Sequence, residues 1–113
     1  MTTVTIGISS VDETKARMRR AFGGRAQGTF ISFPSLDLLW KIIIPRRWEM
    51  LRIMAGSEPM AIRALARRLG RDVKTVHGDV RALLDSGVLE RTDDGLVTFP
   101  YDAVHVDFVL KAA

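Results

Sequence analysis

The segment DVKTVHGDVRALLDSG, residues 72–87, places Val73, Val76, Val80, Leu83 and Leu84 at helical spacing. With that apolar stripe turned inward, Lys74, Thr75, Gly78 and Arg81 point outward and His77 lies at the border. These five residues have the chemistry of base-edge contact. Arginine can donate two hydrogen bonds to guanine O6 and N7, lysine can meet guanine or phosphate, and the threonine methyl can pack on a thymine methyl. Gly78 removes a side chain from the middle of this face, which permits close backbone approach and costs up to about 1 kcal/mol of helix stability relative to Ala. A solvated face normally mixes signs, yet none of Lys74, Thr75, Gly78 and Arg81 is acidic.

Phosphate contact requires only positive charge, and Arg46, Arg47, Arg63, Arg67, Arg68 and Arg71 supply it around this segment. Thirteen of the 17 basic residues are Arg, and they are unevenly spread. The balances are +2 for residues 1–40, +6 for 41–81 and −4 for 82–113. That asymmetry suits a chain with one face toward a polyanion. Asp93 and Asp94 are the exception, because they would repel a phosphate backbone.

These side chains need a scaffold. Pro45 is well placed to open a helix, PRRWEMLRIM, that Gly56 ends. IRALARRL follows, with Ile62, Leu65, Ala66 and Leu69 on one face and Gly70 as its stop in a left-handed conformation. Asp72 is a good cap for the next helix. Ala66 permits a close helix crossing, and Leu65, Leu69, Val73 and Val76 would fill the wedge. VLERT and LVTF then read as strands joined through Asp93, Asp94 and Gly95. Three helices with a glycine turn between the last two, then a hairpin, is the layout of a winged helix-turn-helix.

The flanks read differently. Val4, Ile6 and Ile8 alternate with Thr3, Thr5 and Gly7 as in a half-buried strand, and a capped helix is expected from Ser9 or Ser10 to Phe22. Thr29–Phe33 reads as extended, Leu36–Ile43 as a helix, and Ala103–Leu110 as a last strand. The expected fold class is α+β: an N-terminal strand-helix arm at 1–44, the winged helix-turn-helix at 45–102 and a C-terminal strand at 103–113. Val4, Ile6, Ile8, Trp40, Val104, Val106 and Phe108 offer more apolar surface than a three-helix core covers. They are therefore expected to form the contact of a homodimer.

The segments PRRWEMLRIM, IRALARRLGRDVKTVHGDV and LLDSGVLER, with the hairpin ending VTFPYD, resemble small archaeal and bacterial DNA-binding proteins with a MarR-like winged helix. The resemblance implies a transcriptional regulator of double-stranded DNA. In some relatives it implies the antitoxin-like partner of a toxin. Gly78 departs from the pattern, since a basic residue is more typical there.

Other classes fare worse. The longest apolar run, Leu38–Ile44, is interrupted by Lys41, so no membrane span is expected, and MTTVTIGISS does not read as a secretory leader, which points to the cytoplasm. There is no cysteine, and two histidines without H-E-x-x-H spacing do not make a metal site. No nucleophile elbow or Gly-rich phosphate loop occurs, so neither an enzyme nor a cofactor is expected. The competing reading is a protein-interaction module or antitoxin whose DNA contact is secondary.

Overall fold

A computed structural model describes residues 2–8, 29–109 and 112 of the 113-residue chain. The helix expected between Ser9 and Phe22 lies outside the described residues. The elements run β1 (Thr3–Ile8), β2 (Thr29–Phe33), α1 (Leu36–Ile42), α2 (Pro45–Met54), α3 (Ile62–Leu69), α4 (Val73–Asp85), β3 (Glu90–Arg91), β4 (Val97–Thr98) and β5 (Ala103–Asp107). The class is α+β, with four helices and two small sheets among the described residues.

Local chemistry accounts for the helix boundaries. The Ser35 hydroxyl accepts from Leu38 N–H at 3.1 Å to cap α1, and Pro45 takes the first position of α2, where no N–H is needed. α3 ends in a Schellman arrangement. Gly70 N–H donates to the Arg67 carbonyl and Arg71 N–H to the Ala66 carbonyl, with Gly70 at φ +66°. Asp72 then accepts from Thr75 N–H at 3.2 Å to open α4. The positive φ at Gly70 and the Asp72 cap are the two features on which the expected turn depended.

Among the described residues the core is one cluster. Met50, Leu51 and Met54 of α2, Leu65 and Ala66 of α3, and Val76, Val80 and Leu83 of α4 pack with Val88, Leu89, Val97 and Phe99 from the hairpin region. Val73 corrects the expected wedge, because it is 42% exposed. It is the first residue of α4, at the open end of the stripe, and Val76 is the first side chain of that helix to be buried.

The hairpin ladder is shorter than its apolar pattern suggests. Val88 and Leu89 both donate their N–H groups to the Leu83 carbonyl, so they complete the end of α4 and leave only Glu90 and Arg91 to pair with Thr98 and Val97. Met60, in the α2–α3 connection, bridges Val97 through two backbone hydrogen bonds of 3.0 and 2.9 Å. The hairpin is thus tied back to the segment that precedes α3.

The second sheet has the order β2-β1-β5, with both pairings parallel. This places the N-terminal strand at the centre, with Val4 beside Thr29 and Val104, and Ile6 beside Ile31 and Val106. Gly7 is required there. A Cβ at that position would lie 2.5 Å from the Asp107 carbonyl oxygen and 3.0 Å from the Phe30 ring. The strand pairing expected from a partner chain is met inside this one. Val4 and Ile6 are 0% and 1% exposed in the chain's own core, which withdraws them from any surface contact. Ile8 and Val104 pack against the same core, whereas Trp40, Val106 and Phe108 remain exposed.

Candidate functional site

The outward face of α4 carries the residues expected there. Lys74, Thr75, His77, Gly78 and Arg81 are all exposed, while Val76, Asp79, Val80 and Leu83 are buried. Lys74, Gly78 and Arg81 follow i, i+4, i+7 spacing along one stripe, with Thr75 beside them. The Thr75 hydroxyl also lies 3.5 Å from the Asp72 carboxylate, so the cap fixes its position at the start of the row. A Cβ on Gly78 would meet nothing within 4 Å. No packing demand among the described residues explains the glycine.

A cleft of about 310 Å³ runs between α4 and the hairpin, lined by Ile62, His77, Val80, Arg81, Leu84, Asp85 and Arg91. Arg91, on β3, is a residue that sequence reasoning missed. Its Nη1 donates to the Gly95 carbonyl at 3.2 Å, which ties the side chain to the hairpin turn while its charge borders the same cleft as Arg81. The turn itself is acidic, with Asp93 and Asp94 exposed. The Thr92 hydroxyl donates to the Asp94 carboxylate and accepts from Leu96 N–H, holding the tip in shape.

The expected phosphate ligands separate into two groups. Arg63, Arg67 and Arg68 are exposed on α3, opposite its buried Leu65 and Ala66. Arg47 is a correction. Its Nε donates to Asp79 at 2.9 Å, its Nη1 donates to the Ile42 carbonyl at 3.0 Å, and its side chain is only 14% exposed. That guanidinium is engaged inside the protein and is not presented to a phosphate. Arg46 is intermediate, since its Nε reaches both Asp79 oxygens at 2.9–3.0 Å while half of its side chain remains in solvent. Arg71 donates to the Arg46 carbonyl at 3.3 Å beside it.

Asp79 was not foreseen at all. It is 1% exposed on the buried face of α4, between Val76 and Leu83. Burial opposes its ionisation, but the hydrogen bonds from Arg46 and Arg47, together with their charges, outweigh that penalty and hold the carboxyl below the usual aspartate range. The ion group joins the end of α1, the start of α2 and the middle of α4. It therefore sets where the exposed row of α4 stands relative to Arg46. The available signal was an acidic residue in phase with an apolar stripe, which demands a buried cation elsewhere.

Among the described residues no group of three or more His, Asp or Glu side chains could hold a metal ion, and no helix is long and apolar enough to cross a membrane. No curated protein matches the chain. The family model HVO_A0114 matches residues 42–106. That match runs from the last residue of α1 through all three following helices and the hairpin to the fourth residue of β5, and over more than half its length the chain belongs to the HVO_A0114 family.

Proposed function

We propose that the protein is a winged helix-turn-helix regulator of transcription, resembling MarR-like proteins, that binds double-stranded DNA as a homodimer and acts as a cytoplasmic repressor. One observation carries the reading. α4 follows α3 across a left-handed Gly70, is itself followed by a hairpin, and exposes Lys74, Thr75, His77, Gly78 and Arg81 in a row without an acidic side chain. In this reading α4 enters the major groove and Arg81 and Lys74 meet base edges. Arg63, Arg67 and Arg68, with the exposed part of Arg46, meet phosphates.

The test separates base reading from phosphate contact. Arg81→Ala weakens binding to a selected site by about 1–3 kcal/mol and flattens the preference over scrambled duplex, whereas Arg67→Ala weakens both duplexes alike. Equal, preference-neutral losses would make Arg81 a phosphate ligand. Absence of salt-dependent binding to any duplex would remove the DNA reading altogether. The acidic tip formed by Asp93 and Asp94 favours one second reading, in which the hairpin docks a protein such as a toxin and DNA contact is secondary.

A further inference from the structure

β5 is an edge strand: β1 pairs with one side of it, and among the described residues no strand pairs with the other. Ala103 N–H donates to the Thr2 carbonyl, so Ala103, His105 and Asp107 direct their backbone groups toward β1. Val104 and Val106 therefore turn theirs to the open edge, and Phe108 follows directly after the strand. Among the described residues, most of the exposed large apolar side chains lie at or beside this edge. Trp40 is 52% exposed, Val106 39%, Phe108 40% and Val109 74%. The Trp40 and Phe108 rings meet edge to face at 5.8 Å beside an apolar cleft of about 440 Å³ lined by Ile6, Leu39, Trp40, Ile43, Trp48 and Val106, among others. An unpaired ladder edge next to exposed aromatics is a template for another strand.

We propose that the occupant is a second copy of this chain, whose β5 pairs antiparallel with the first about a two-fold axis at Val106, joining two three-stranded sheets into one of six. The inference deepens the dimeric part of the reading above. The choice of occupant and register comes from complementarity along β5 itself. With Val106 opposite Val106 of the second copy, Val104 faces Phe108 and His105 faces Asp107, each twice. The residues that exchange hydrogen bonds are then those whose backbone already points outward. The closer, non-hydrogen-bonded pair sets an imidazole N–H donor beside a carboxylate. A two-fold centred one residue earlier would set His105 against His105 and leave Asp107 facing Ala103. The Val106 register also keeps Val104, Val106 and Phe108 of both copies on the face that carries Trp40.

The chain has no cysteine, so single cysteines introduced into the full-length protein report the register directly. Opposed residues at a hydrogen-bonded pair have Cα atoms about 5.5 Å apart, within disulfide range, whereas positions displaced by two residues lie roughly 7–8 Å apart, beyond it. The inference expects V106C to form an interchain disulfide under mild oxidant and H105C to form little. It expects sedimentation at twice 12.6 kDa for the intact chain at micromolar concentration. Val106→Pro removes an outward-facing N–H that β1 does not use and fixes φ at a value an edge strand tolerates, so it should raise the dimer dissociation constant at least tenfold while the far-ultraviolet circular dichroism is kept. His105→Asp should weaken the dimer, and the double variant H105D/D107H should restore it.

A 12.6 kDa monomer overturns the inference, as does a dimer indifferent to Val106→Pro and to the charge exchange. Cross-linking of H105C in preference to V106C overturns the register. A dimer assembled elsewhere leaves the DNA reading intact, and a β5 dimer without salt-dependent duplex binding overturns that reading alone.

Discussion

Gly78→Ala separates two explanations of the exposed row on α4. The position lies inside a 13-residue helix, its φ is not in the positive range, and a Cβ there would meet nothing within 4 Å. The substitution therefore introduces no clash, and helix propensity sets its effect on folding. Alanine is favoured over glycine by roughly 0.8–1 kcal/mol in a helix interior. An unfolding entropy of about 2.1 cal/mol/K per residue over 113 residues converts this into a rise in Tm of about 3–4 °C. Scanning calorimetry measures it. If the backbone at Gly78 approaches a base edge or phosphate, the added methyl group occupies that space, and duplex affinity should fall at least severalfold in the more stable variant. Opposite signs in the two assays are the expected outcome. A higher Tm with unchanged DNA affinity would make the glycine incidental to the groove model, and a lower Tm would refute the account of its surroundings.

Other outcomes follow from the same geometry. Asp79→Ala leaves the largely buried Arg47 without its carboxylate and should cost roughly 2–4 kcal/mol, less than the ~3–5 of a fully buried pair because Arg46 is half in water. Because the folded-state pKa of Asp79 is depressed, its ionic contribution is present above the unfolded-state value of about 3.9 and is lost as pH falls through the folded one. Urea titrations from pH 6 down to pH 2 should therefore show a steeper acid loss in the wild type than in Asp79→Asn. Gly70→Val forces a β-branched residue to φ +66° with open space around it, a backbone penalty of about 1–2 kcal/mol or more, and an unchanged Tm would remove the assigned turn. Gly7→Ala sets a methyl group against the Asp107 carbonyl and should cost about 1–3 kcal/mol, checked by the same denaturation.

What was legible in the chain was local. The 3.6-residue stripe of α3 and that of α4 from Val76 onward, the stop at Gly70, the cap at Asp72, the proline start of α2 and the inward Val4 and Ile6 of β1 each depend on a few neighbouring residues, and each is found in place. The failures involve partners distant in sequence. Nothing near Asp79 announces Arg46 and Arg47, which lie 33 and 32 residues earlier, so Arg47 read as a free surface cation. Nothing in Val4 and Ile6 states whether the strand beside them belongs to the same chain, and apolar surface that suggested a second copy was partly covered by β5 instead. The shortened hairpin has a similar origin. Val88 and Leu89 have strand-like side chains, but their backbone hydrogen bonds complete the end of α4. The exposed row on α4 was legible because the apolar stripe fixed its phase, whereas Arg91 required the hairpin to be placed beside that helix.

The central position of β1 has a consequence for biosynthesis. One of its two flanking strands begins at residue 103, 95 residues after β1 ends at Ile8. At about 5–20 residues per second a ribosome needs roughly 5–20 s to cover that distance. Helices α2 to α4, whose contacts are shorter in sequence, can assemble within this interval, while Val4 and Ile6 wait for the strand that completes their sheet. The nascent chain thus presents an apolar, half-paired strand for seconds, until the β5 codons have been read and the strand has cleared the exit tunnel.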